Sequence, residues 1–135
     1  ENFFTTFIKS KIDHVLRTQY FKNENISIVT DRLYMHIQCY GQDGSYHVDN
    51  VNNNNYSFCL YINDIDLALN EKSNGEFLVK IPNTKEILCI DTVCNRGLIF
   101  PSFYYHKGVA YNRNFYHPRI CIAWKLSIIN ENEST

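Results

Sequence analysis

From Asp31 onward the chain is a succession of short runs in which apolar and polar side chains alternate, each run ended by a turn. That alternation is the signature of extended strands, whose successive side chains point to opposite faces. In DRLYMHIQCY, Leu33, Met35, Ile37 and Cys39 share one face, and Tyr34, His36, Gln38 and Tyr40 the other. YSFCLYIN, EFLVKIP, EILCIDT, GLIFPSF, KGVAY and RICIAWKL continue the series, and GQDG supplies a turn tolerant of positive φ. About eight short strands separated by turns predict a sandwich or jelly-roll rather than a sheet built from βαβ units.

Only the first segment has a different period. In FFTTFIKSKIDHVLRTQYF, Phe4, Ile8, Ile12, Val15 and Leu16 fall three and four apart, which predicts a helix with one apolar stripe. No internal repeat or change of composition divides the chain, so residues 1–135 are read as a single domain. Within it the helix is expected over about 2–21 and the barrel over about 27–128. NVNNNN reads as a solvated loop, INDIDLALNEKSNG as a long connection ending in a glycine turn, and IINENEST as a polar tail that frays.

Composition removes several function classes. Aromatic residues at 15% argue against disorder, and a net charge of −1 without basic clusters argues against nucleic-acid binding through phosphates. No apolar stretch approaches the roughly 20 residues that span a bilayer, and no signal-peptide pattern is present. The five cysteines form no CxxC pair and mostly sit in apolar strands, so they are expected to be buried free thiols in a reducing, cytoplasmic setting. Oligomeric state is not legible.

The chemistry begins at YHVDN. On an extended chain His47 and Asp49 point the same way and Val48 points away. One imidazole beside one carboxylate is two-thirds of the two-histidine, one-carboxylate facial triad that leaves iron with open positions. The third ligand has to come from His14, His36, His106 or His117. Spacing favours His106, at the rim of a strand; His36 is the main competitor, because it shares a face with Tyr40. In RICIAWKL, preceded by Pro118, Arg119, Cys121, Ala123 and Lys125 share a roomy face opposite Ile120, Ile122, Trp124 and Leu126. An arginine fork on such a face suits a carboxylate. YSFCLYIN repeats the pattern, with Ser57, Cys59, Tyr61 and Asn63 opposite Tyr56, Phe58, Leu60 and Ile62.

Taken in order, CYGQDGSYHVDN, YSFCLYIN, NGEFLV, GLIFPSFYYHKGVAYN and PRICIAWKL resemble the 2-oxoglutarate- and iron(II)-dependent dioxygenases, most closely the oxygen-sensing branch of the prolyl hydroxylases. The resemblance implies a double-stranded β-helix of jelly-roll, cupin-like form with a supporting N-terminal helix. It implies His47, Asp49 and His106 as iron ligands and Arg119 as the partner of the distal carboxylate of 2-oxoglutarate. Arg113 competes for that part, because the gap from His106 to Arg119 is long for the family. Tyr61 would add a hydrogen bond to the same carboxylate, and Tyr40 would line the pocket. The implied reaction uses Fe(II), 2-oxoglutarate and O2, with ascorbate as an optional reductant, to hydroxylate a prolyl residue of a protein or peptide, releasing succinate and carbon dioxide. No nucleic-acid or membrane partner is implied. The alternatives are a cupin-type barrel binding zinc or nickel, and a non-catalytic binding barrel.

Overall fold

The computed structural model describes residues 2–22, 24–63, 74–115 and 117–133. It is mainly β, with the antiparallel sheets of a jelly-roll and one N-terminal helix. Helix α1 spans Phe3–Val15 and continues as a π turn over Leu16–Tyr20. Asn2 caps it, its side chain accepting from the Thr5 amide at 2.9 Å. Of the expected stripe, Ile8, Ile12 and Leu16 are buried, whereas Phe4 is exposed.

Among the described residues seven strands follow: β1 (Ile26–Gln38), β2 (Asn55–Tyr61), β3 (Phe77–Lys80), β4 (Ile87–Ile90), β5 (Gly97–Pro101), β6 (His106–Gly108) and β7 (Arg119–Asn130). One sheet has the order β1-β7-β2-β5 and the other β4-β3-β6. β1 starts well before DRLYMHIQCY because Ile26, Ser27 and Ile28 pair with Asn130, Ile129 and Ile128. The same pairing orders Ile128, Ile129 and Asn130 of the tail that was expected to fray, and Glu131–Glu133 form a 3-10 turn after them. At the other end β1 stops at Gln38, short of Tyr40. Within the asparagine run, Asn55 is buried, its amide donating to the Leu126 carbonyl and the Ser127 hydroxyl. Most of the INDIDLALNEKSNG connection lies outside the described residues.

The two faces of the larger sheet are built differently. Tyr56 and Leu60 of β2 and Trp124, Leu126 and Ile128 of β7 face α1 and form one apolar core with Ile8, Ile12 and Leu16. The opposite face carries the odd-numbered residues Cys59, Tyr61, Cys121 and Ala123, which meet Phe77 and Val79 of the smaller sheet, and Phe100. Cys59, Cys121 and Ala123 leave room on this face, and a cavity of about 340 Å³ remains between the sheets. All five cysteines are free, but only Cys59 and Cys121 are buried; Cys39 and Cys89 are exposed because each lies at or beyond a sheet margin. Among the described residues no helix is long and apolar enough to cross a membrane.

Candidate active site

His47 and His106 face each other across an isolated antiparallel bridge. The His47 amide donates to the His106 carbonyl at 3.1 Å, and the His106 amide donates back at 2.9 Å. Paired this way, the two rings lie on one side, with centroids 4.5 Å apart. Each ring is oriented by a backbone carbonyl: His47 Nδ1 lies 2.9 Å from the Ser45 oxygen, and His106 Nδ1 2.8 Å from that of Tyr104. An Nδ1–H held in this manner leaves Nε2 as the lone-pair atom. Both Nε2 atoms turn toward Asp49, His47 to Oδ1 at 3.7 Å and His106 to Oδ2 at 3.5 Å. One ligand atom from each of the three side chains lies within 4.8 Å of the others.

Burial pulls the His106 imidazole below its ordinary value, against the opposing influence of the Tyr104 carbonyl and the Asp49 charge. It is therefore held neutral, the form that binds a metal. At Asp49, burial alone would raise the carboxyl, but hydrogen bonds from Lys125 and Ser57 outweigh it and leave the group below its ordinary value. Ser57 donates to Oδ2 at 2.6 Å, and the Lys125 ammonium bonds to the same oxygen. Ser57 in turn contacts the Ser102 hydroxyl at 2.9 Å, while the Ser102 carbonyl accepts from the Asp49 amide at 2.9 Å. Asp49 is thus fixed through Oδ2 and its backbone; His106 faces that same Oδ2, and Oδ1 stays open toward His47.

The far end of the cavity belongs to Arg119, which is only 2% exposed. Its Nε donates to the Gly75 carbonyl and its Nη1 to Gln38 Oε1, both at 2.9 Å. Gly75 has φ +87°, and a Cβ there would lie 2.2 Å from the Tyr111 ring, so the carbonyl that seats Arg119 depends on glycine. A Cβ on Gly108 would approach Arg119 Nη1 to 2.8 Å, which makes that glycine part of the same seat. Among the described residues, two buried polar atoms here have no partner: Arg119 Nη2 and the Tyr61 hydroxyl. Burial pushes the Tyr61 phenol far up, so it is a neutral donor. Two buried donors awaiting acceptors fit a carboxylate.

Solved structures share this architecture. A prolyl-4-hydroxylase from Pseudomonas putida superposes with a TM-score of 0.63 at 13% identity, covering 87% of this chain and 58% of its own. A prolyl hydroxylase from Trichoplax adhaerens, solved with a hypoxia inducible factor oxygen degradation domain peptide, gives 0.65 at 18% identity, covering 96% and 57%. A 2OG-Fe(II) oxygenase family protein from Burkholderia pseudomallei gives 0.60 at 12% identity, covering 87% and 57%. The chain has the prolyl hydroxylase fold. It spans little more than half the length of these three structures. No protein-family model and no curated protein matches the sequence.

Within that fold the candidate residues separate clearly. His47, Asp49, His106, Tyr61 and Arg119 all line the one cavity. His36 lines it too, but stands outside the converging group. His14 and His117 are exposed, and Arg113 is exposed in a turn away from the lining. Tyr40 is 65% exposed and does not line the cavity, because the strand that would have aimed it inward has already ended at Gln38. Gln38, with the same alternation and two residues earlier, stands there instead. Sequence reasoning passed over Ser57 and Lys125 as partners of Asp49, although both lay on the roomy faces it identified. Gly108 could have been found only by knowing what packs against it.

Proposed function

We propose that this protein is an iron(II)- and 2-oxoglutarate-dependent hydroxylase acting on a prolyl residue of a protein or peptide, with succinate and carbon dioxide as coproducts. The observation that carries this reading is the convergence of His47, Asp49 and His106 in the same cavity as a buried, incompletely partnered Arg119. The donor set fits the metal: two imidazoles and one carboxylate suit iron(II) and leave positions for other ligands. Arg119 and Tyr61 fit the cosubstrate, since their unpartnered donors match the distal carboxylate of 2-oxoglutarate. When bound, iron and 2-oxoglutarate would together activate O2, one oxygen atom entering a substrate C–H bond to give the alcohol and the other entering succinate as carbon dioxide leaves.

The chain's own part is placement. The carbonyls of Ser45 and Tyr104 set the imidazole tautomers, and Ser57 and Lys125 hold the carboxylate. Gly75, Gln38 and Gly108 seat the guanidinium. Phe77 and Phe100, with ring centroids 5.3 and 4.7 Å from His106, exclude water from that imidazole. The prolyl substrate is supported by two fold neighbours that are prolyl hydroxylases, one of them solved with a peptide.

The test is anaerobic addition of Fe(II) and 2-oxoglutarate to the purified protein. A visible charge-transfer band, followed on admitting O2 by succinate, is the expected result. Folded protein that binds zinc or nickel at the triad but yields neither band nor succinate would overturn the reading in favour of a different metal barrel.

A further inference from the structure

The strands that carry Arg119 carry a second cationic end. On β7 the cavity-facing residues run Arg119, Cys121, Ala123, Lys125, and their partners on β1 run Gln38, His36, Tyr34, Arg32. Lys125 therefore lies directly opposite Arg32. Like charges facing each other across a strand pair destabilise it, and Lys125 offsets this through its ion pair with Asp49. The pairing is also irregular at this point: the register shifts between Thr30 and Arg32, and Asp31 is the extra residue. Bulges of this kind re-aim side chains and are over-represented beside active sites.

A second cavity, of about 290 Å³, opens there. Arg32, Lys125, Tyr34 and Asp49 line it together with Asp31 and Asn50. Tyr34, Asp49 and Lys125 belong to both cavities, so the second adjoins the first at the metal-ligand carboxylate, at the opposite end from Arg119. Its walls are polar, which suits a charged group better than a bare pyrrolidine ring. The charges agree. Among the described residues lining the two cavities, Arg32, Arg119 and Lys125 are positive, and Asp31 and Asp49 negative. A divalent metal and dianionic 2-oxoglutarate cancel each other, which leaves one positive charge in excess. Asp31 is engaged by the Ser127 hydroxyl at 2.6 Å, and Asp49 faces the triad. The excess therefore sits at the Arg32–Lys125 end.

We propose that Arg32 and Lys125 form the subsite for the primary substrate and that it takes a carboxylate, carried close to the carbon that is hydroxylated. This rests on the iron and 2-oxoglutarate reading above and adds the substrate's charge to it. The carboxylate has two possible sources, an acidic side chain beside a prolyl residue or the free acid of a small molecule, and both present the same group to the same pair of cations.

The experiment measures binding by calorimetry to the full chain loaded with Mn(II) and 2-oxoglutarate. The probes are two matched pairs: a short prolyl peptide flanked by Asp against its Asn counterpart, and N-acetylproline against N-acetylprolinamide. Wild-type protein is expected to bind the carboxylate member of one pair about tenfold more tightly, one charge-assisted contact's worth, and the pair that responds names the source. In Arg32→Gln and in Lys125→Met that preference collapses. Arg32 is exposed, so its variant carries the test even if Lys125→Met loses the metal through Asp49. Equal binding within both pairs by the wild type, or a preference that survives Arg32→Gln, overturns the proposal. Both results are read on protein that forms the Fe(II)–2-oxoglutarate band; if the wild type does not form it, the underlying reading falls and this proposal with it.

Discussion

The two faces of the larger sheet are made from the same strands by the same alternation, yet they serve opposite ends. Toward α1, β7 presents Trp124, Leu126 and Ile128, and the space is filled; Trp124 is fully buried. Toward the smaller sheet the intervening residues are Arg119, Cys121, Ala123 and Lys125, and the space is left open. The difference teaches that stability and chemistry are divided residue by residue along one strand. The filled face supplies apolar burial, which lets the open face keep buried charges and unpartnered donors that would weigh on a marginal fold. The division is incomplete at Trp124, whose buried Nε1 has no partner among the described residues, and at β1. At its start, Ile26 packs with α1, but the outward residues Leu33, Met35 and Ile37 further along this edge strand are 43 to 54% exposed and outside that core.

The largest effect expected from breaking this division is at Trp124. Replacement by Ala should cost about 3–5 kcal/mol of stability, because transfer and cavity costs add. Chemical denaturation measures the loss. The fraction that remains folded should still form the Fe(II)–2-oxoglutarate band; a variant of unchanged stability that loses the band would show that the faces are not independent. On the open face the reverse holds. Arg119→Met should leave the fold largely intact and weaken 2-oxoglutarate binding by about 100-fold, the scale of a lost charge-assisted pair of about 3 kcal/mol. Arg113→Ala should bind as the wild type does, and equal losses in the two variants would return the assignment to Arg113.

A smaller effect is set by pH. In chelator-treated protein His106 has its imidazole depressed below 6.5 by burial. The unfolded chain then takes up a proton before the folded one does. The stability contributed by the neutral ring is complete above pH 6.5 and is lost as the pH falls through and below that value. His36, depressed by burial and by Arg119, acts in the same direction. Asp49 adds a later loss below 3.8, since its folded value lies beneath its unfolded one. Resistance to denaturant should therefore fall between pH 7 and 5. His106→Gln should flatten that interval, and an undiminished slope would locate the titration elsewhere.

How far this was readable beforehand depended on whether a feature was local. That His47 and Asp49 point together follows from strand period alone, and so does the assignment of β7's bulky and roomy faces. The meeting of His47 with His106 is a long-range bridge, which no window around either residue contains; only the order of motifs hinted at it. Tyr40 shows the opposite limit. The alternation continues through it, but the chain turns after Gln38, with Gly41 at φ +79°. A period says which way a side chain would point and not where the strand stops. Lys125 was visible on the correct face, yet its role beside Asp49 depends on a neighbour 76 residues away in sequence.

The smallest expected effect tests the cosubstrate end at single-atom resolution. Tyr61 is 1% exposed, and its ring lies 5.1 Å beneath the Arg119 guanidinium, so Tyr61→Phe keeps both the packing and the cation–π contact. It removes one hydroxyl that has no partner within the described protein. If that hydroxyl serves the distal carboxylate of 2-oxoglutarate, the variant should bind the cosubstrate about 3–10-fold more weakly, the worth of one hydrogen bond. It should also be slightly more stable in the absence of cosubstrate, since an unpaired buried donor has gone. The two shifts have opposite signs, and a mere packing defect cannot produce both. Loss of stability together with unchanged affinity would assign Tyr61 to the core rather than to the site.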